Sequence, residues 1–197
     1  MRKLFALSLL FAVAPLLAKP LPERLAAIDA LSAKVVQKTY DFDGALVQET
    51  EAKLALQKPG KLHWETGEPD EMAVICDGTT LWVHQKLLDQ ITLYKAAQLI
   101  EQSPFALLLG DEATWQDYRI SENGDSYTLV PLKESEYAEI VLKFAGDDLD
   151  ELLVTDTQGQ KLVFDFVSSS RGPAAVRGVS FKLIPPAGVT VDDQRGR

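Results

Sequence analysis

The sequence predicts a mainly β protein: about ten or eleven antiparallel strands in one connected meander, forming a strongly curved sheet or an open barrel, with a few short helices. Three observations carry this prediction. Most of the chain alternates apolar and polar residues with a period of two. Turn dipeptides, among them Asp43-Gly44, Asp77-Gly78 and Asn123-Gly124, punctuate the alternation. Helical patterning is confined to the start of the chain and to the block "YKAAQLIEQSPFALLLGDEATW".

The elements follow in order. The opening "MRKLFALSLLFAVAPLLAKP" places Arg2 and Lys3 before an apolar run too short to span a membrane. Residues 1–18 read as a cleaved secretory signal peptide, and 19–197 as one domain. Leu21 to Leu31 is expected to be helical, with Leu21, Leu25 and Ile28 on one face and Glu23, Arg24 and Asp29 on the other. Two strands then meet at Asp43-Gly44. In the second, Ala52, Leu54 and Leu56 form one apolar face. "KLHWE", "MAVICDG", "TLWVH" and "QITLY" are the next strands. Ala96, Ala97, Leu99 and Ile100 read as a short helix. Ser103 suits an N-cap, Pro104 a first turn and Gly110 the residue past the end of a second helix that is apolar on every side. Strands resume at "WQDYRI", "SYTLV", "AEIVLKF", "ELLVTD", "KLVFDFV" and "VSFKLI". A sheet of this size has a wide apolar concave face, and only three short helices are available to cover it.

Composition narrows the function. Removing Arg2 and Lys3 from 20 basic residues set against 29 acidic ones takes the net charge from −9 to −11. Such a chain is a poor partner for nucleic acid or anionic membrane, and its partners should carry basic patches. The single cysteine, Cys76, cannot form an internal disulfide and reads as a small core residue. No cysteine follows the signal segment to accept a lipid anchor.

No catalytic constellation emerges. There is no G-x-S-x-G and no phosphate loop, and Ser168 to Ser170 read as a polar turn. His63 and His84 lack metal-ligand spacing, and "GDDLDE" (146–151) lacks the pattern of a calcium loop. The most charge-dense stretch, "HWETGEPDE", is read as two strand ends around a turn. Trp64 continues the face of Leu62, and Gly67 and Pro69 force the reversal. Its carboxylates sit where water solvates them, whereas paired acid–base carboxylates need a cleft that separates their pKa values. The chain is therefore not expected to be an enzyme, and no cofactor or metal is expected.

"LALQKPGKLHWETGEPDE", "CDGTTLWVH", "PFALLL" and the closing "FKLIPPAGVTVDD", in that order and spacing, resemble the LolA family of periplasmic lipoprotein carriers over nearly the whole mature chain. The resemblance implies an incomplete antiparallel barrel of about eleven strands, covered by a helical lid over a hydrophobic cavity. It implies a periplasmic chaperone that takes acylated lipoproteins from an inner-membrane LolCDE-type ABC transporter and delivers them to an outer-membrane LolB-type receptor. A monomer is expected. Where the family has an arginine that ties barrel to lid, this chain has Lys58. The aromatic commonly found two residues after the second tryptophan is His84 here.

Strand alternation and the all-apolar second helix nominate Leu54, Leu56, Trp64, Trp82, Phe105, Leu108, Leu142, Phe144, Phe164, Phe166 and Phe181 as the cavity lining, and the resemblance implies Lys58 as the lid-closing residue. The alternative is a carrier of another lipid, such as a fatty acid or glycolipid, on the same fold. An enzyme acting on acyl chains is the third reading and has no support in the sequence.

Overall fold

The computed structural model describes residues 19–97, 103–110 and 112–196. The expected signal peptide, and Leu99 and Ile100 of the first expected lid helix, lie outside them; Ala96 and Ala97 are helical. Twelve strands form one sheet: β1 (Ala30–Tyr40), β2 (Leu46–Gln57), β3 (Lys61–Thr66), β4 (Met72–Asp77), β5 (Thr80–Gln85), β6 (Gln90–Lys95), β7 (Tyr118–Asn123), β8 (Ser126–Pro131), β9 (Tyr137–Ala145), β10 (Asp148–Asp156), β11 (Lys161–Arg171) and β12 (Thr190–Asp193). The spatial order is β12-β6-β5-β4-β3-β2-β1-β11-β10-β9-β8-β7.

This order explains both the curvature and the opening. Successive strands pair antiparallel within β1–β6 and within β7–β11, and β1 also pairs antiparallel with β11 and so joins the two meanders at the centre of the sheet. The longest strands, β1, β2 and β11, lie there. Register shifts at Lys34/Val35, Thr39/Tyr40 and Leu149/Glu151 add local bend and twist. The outermost strands, β12 and β7, do not pair, so the barrel stays open. β6 and β7 belong to opposite wings of the sheet and are joined in sequence by residues 96–117. That segment supplies α2 (Ala106–Leu109) and α3 (Glu112–Trp115), while α1 (Leu21–Ala26) precedes β1.

Several expectations are corrected here. The first helix ends at Ala26, and Leu31 belongs to β1. The backbone at Asp29 and Ala30 is claimed by the sheet: Lys58 N–H donates to Asp29 O at 2.8 Å and Gly172 N–H to Ala30 O at 2.9 Å. Trp115 lies in α3 and not in the strand expected from "WQDYRI", which begins at Tyr118. "VSFKLI" is not a strand. It crosses the outer face of the sheet irregularly, and the last strand is β12, which pairs parallel with β6. Alternation alone misled there, because a segment laid over a sheet also buries every second residue. Gly110 is required by crowding and not by a left-handed cap: a Cβ would sit 2.5 Å from Thr114 Oγ1 and 2.8 Å from Ala106 O.

Candidate functional site

The inner face of the curved sheet is apolar from strand to strand. Leu54 of β2 faces Trp64 of β3, which faces Val74 of β4; one rung along, Leu56, Leu62, Cys76 and Leu81 run in line. On the other wing Tyr127, Leu142, Leu152 and Phe164 run in line across β8 to β11. Strict alternation makes this possible, since each strand presents every second residue inward.

The three helices occupy the space in front of this face. Every residue of α2 is buried, and α1 contributes the buried Leu21 and Leu25. Phe105, just ahead of α2, enters an aromatic triangle with Trp64 and Phe164, with ring centroids 5.3 Å and 5.1 Å away and the two strand rings 5.7 Å apart. Ser103 Oγ accepts the Phe105 N–H at 3.2 Å and fixes the entry to this turn. Trp115 Nε1–H donates to Leu107 O at 3.0 Å and ties α3 to α2. The lid thus places its own apolar side chains on the sheet.

Two cations hold the helices down. Lys58, at the end of β2, donates from Nζ to Leu25 O at 2.7 Å, and its ammonium lies 5.4 Å from the centroid of the Trp115 ring. It therefore touches both α1 and α3. Arg24 of α1 donates from Nε to the Tyr127 hydroxyl at 2.7 Å and from Nη1 to Gly146 O at 2.5 Å, and pairs through Nη2 with Asp125. Its guanidinium also lies 4.9 Å from the Phe144 ring centroid. Among the described residues Arg24 is the one buried charged side chain. The sequence reading placed it on the solvent face of its helix. The spacing 21, 24, 25, 28 could have assigned it to the buried stripe, but an arginine there suggested water.

Burial pushes the Cys76 thiol and the Tyr118 and Tyr137 hydroxyls up, so these groups stay neutral around the interior. Apart from Arg24 and the ammonium of Lys58, the ion pairs among the described residues lie away from the interior cluster. In one of them Lys86 donates to Glu65 at 2.6 Å and holds its carboxyl below the usual carboxylate range.

Of the eleven residues nominated from the sequence, nine fall in the interior cluster: Leu54, Leu56, Trp64, Phe105, Leu108, Leu142, Phe144, Phe164 and Phe166. Two do not. Trp82 pairs with Ile75 and Leu93 on the outer face, where Leu183 and Val189 of the C-terminal segment cover it. Phe181 packs near Ala30, Ala55 and Val176 on the same outer face. For Trp82 the one-residue parity of β5 decides the face, and Leu81 takes the inward position. The interior cluster also includes Leu107, Trp115 and Tyr127, which the sequence reading did not select. Two outer clefts of about 680 and 500 Å³ share Lys34, Lys53 and Glu65, and neither is lined by Trp64, Phe105 or Phe164.

Comparison with known proteins points to one family. Residues 26–182 match the family model described as outer membrane lipoprotein carrier protein LolA. The outer-membrane lipoprotein carrier protein of Shewanella pealeana is 33% identical over 205 residues, covering 99% of this chain and 98% of its own. That of Vibrio cholerae is 33% identical over 197 residues (96% and 98%), and that of Proteus mirabilis 31% over 177 (89% and 87%). Among solved structures, an uncharacterized conserved protein from Thermus thermophilus shares the fold, with a TM-score of 0.54 at 14% identity over 88% of this chain and 94% of its own.

Proposed function

We propose that this chain, which belongs to the LolA family of outer membrane lipoprotein carrier proteins, shields lipoprotein acyl chains in the interior that its lid now fills. It is a lipoprotein carrier. The observation that supports this location best is the aromatic triangle: a lid residue, Phe105, occupies the middle of a sheet face built from Trp64 and Phe164. An acyl chain offers the same apolar contact once the lid withdraws. Work in the periplasm, loading from an inner-membrane LolCDE-type exporter and unloading to a LolB-type receptor complete the proposal. Lys58 is assigned the closing contact, through Leu25 O and Trp115.

Energetics favour a lid that competes with cargo. Each buried methylene contributes ~0.8 kcal/mol, so three chains with on the order of forty methylenes would gain ~30 kcal/mol on full burial. Non-covalent affinity saturates near roughly 18–21 kcal/mol, and release would become impossibly slow. Lid contacts that must be broken on loading offset part of this gain. The cation and carbonyl contacts of Lys58 and Arg24 belong to that opposing side.

The test is transfer. Proteoliposomes holding the exporter and a triacylated lipoprotein are given ATP and this protein, and soluble lipoprotein is measured. The wild-type protein should solubilise it. Leu142→Glu, with a charge on a fully buried inward residue, should fold as judged by circular dichroism and lose transfer. A wild-type protein that leaves the lipoprotein in the membrane and co-purifies with free fatty acid or glycolipid would contradict the lipoprotein reading.

A further inference from the structure

The sheet has two edges at which its hairpins turn, and they differ sharply. At one, the turns 58–60, 78–79, 124–125 and 146–147 lie near α1. Their charged residues are Lys58, Asp125 and Asp147, and all three have partners in Leu25 O, Arg24 and Lys19. The other edge carries the loops 41–45, 67–71, 86–89, 132–136 and 157–160. Among the described residues, six of the nine large apolar side chains that stand exposed are at or beside these loops: Phe42, Leu46, Val47, Leu87, Leu88 and Leu132. Phe42, on the β1–β2 loop, is 72% exposed.

The same loops hold eight carboxylates, Asp43, Glu71 and Glu134 among them, against two lysines. Both lysines are already neutralised by acids outside the loops: Lys86 by Glu65 and Lys133 by Asp117, each at 2.6 Å. Apolar side chains at hairpin tips within a strongly negative field are poorly suited to an anionic bilayer, which would repel the edge. They suit a protein surface with lysines and arginines around apolar recesses, where opposite charge steers encounter and the buried tips slow dissociation.

From this we infer that the acidic edge formed by the β1–β2, β3–β4, β5–β6 and β8–β9 loops is a docking surface for a basic protein partner, with Phe42, Val47, Leu88 and Leu132 inserting into it. The inference rests on the carrier reading for the identity of that partner, the membrane exporter that loads the protein. The loops are the ends of the strands that build the interior. A partner seated there would contact the sheet without displacing α1, which sits at the opposite edge.

The experiment measures binding of the purified protein to the immobilised periplasmic domain of the exporter at two salt concentrations. The charge-reversal pair Asp43→Lys with Glu134→Lys should slow association about tenfold at low salt, and the difference should shrink at high salt as screening takes over. The pair Phe42→Ser with Leu88→Ser should speed dissociation at both. Uptake of a fluorescent hydrophobic probe should be unchanged in all variants, so that failure of the interior and failure of the edge are read separately. Equal binding by all variants, absence of wild-type binding, or Phe42-dependent binding to phosphatidylethanolamine/phosphatidylglycerol vesicles would each overturn the inference.

Discussion

In the proposed closing mechanism one side chain, Lys58, ties two lid helices to the sheet. Its ammonium reaches the Leu25 carbonyl near the end of the short helix α1, an oxygen that also accepts the Ile28 N–H at 3.2 Å, and it faces the π surface of Trp115. Arginine would bring five donors in a planar fork, while lysine brings one compact and strongly hydrated ammonium. Removing the contact should favour opening by about 1.4 kcal/mol, a factor of ten. Cys76 provides the readout, because it is buried in the interior cluster and is the one cysteine of the chain. Thiol labelling of Cys76 should be about tenfold faster in Lys58→Ala and slower in Lys58→Arg; equal rates in the three proteins would remove Lys58 from the closing mechanism. The position of Lys58 was legible from the strand end and the following Pro59. Its tie to the lid was implied by the family resemblance, but its particular partners, Leu25 O and the Trp115 ring, were not legible, since nothing local in "LALQKPGK" specifies which distant carbonyl or ring it meets.

At the scale of elements, α1 is too short to be stable by itself, so its docking has to come from tertiary contacts. Leu21, Leu25 and Ile28 supply the apolar part, and Arg24 fastens the helix to the β7–β8 and β9–β10 turns through Asp125 and Gly146 O. Arg24→Met should therefore accelerate hydrogen exchange at the Ala27 and Ile28 amides by about ten-fold or more, given the ~1.5–3 kcal/mol typical of a charged hydrogen bond. Amides of the β1–β2 ladder should keep their protection. Equal acceleration in helix and ladder would make Arg24 a residue of global stability. The strands β2 to β6 and β8 to β11 were readable because alternation and turn chemistry agree along them. The face each residue takes was less secure: Trp82 shares the period of Leu81 and only the pairing with Ile75 and Leu93 fixes it outward. "VSFKLI" failed for the related reason that its burial comes from lying across the outer face, where no ladder is involved.

For the whole molecule, the chain order explains the design. Two meanders joined at β1–β11 leave the sheet open, and the described part of the segment between β6 and β7 supplies α2 and α3. With α1, these helices form the lid, and α2 is its wholly apolar part. A closed barrel would have no such opening, and a lid made of an inserted domain would not be so tightly coupled to the sheet it covers. The general form was legible from strand count, apolar stripes and an all-apolar helix. The exposed acidic edge was not, because it is assembled from four separate loops whose charges look ordinary one at a time. The central claim, that acyl chains take the place of the lid on the inner face, is tested most directly by tryptophan quenching. Two proteins, each retaining one tryptophan, Trp64 on the inner face or Trp82 on the outer, are loaded with a triacylated lipopeptide whose chains are brominated. Strong quenching of Trp64 with Trp82 left bright is the expected result; quenching of Trp82 with Trp64 unaffected would contradict it.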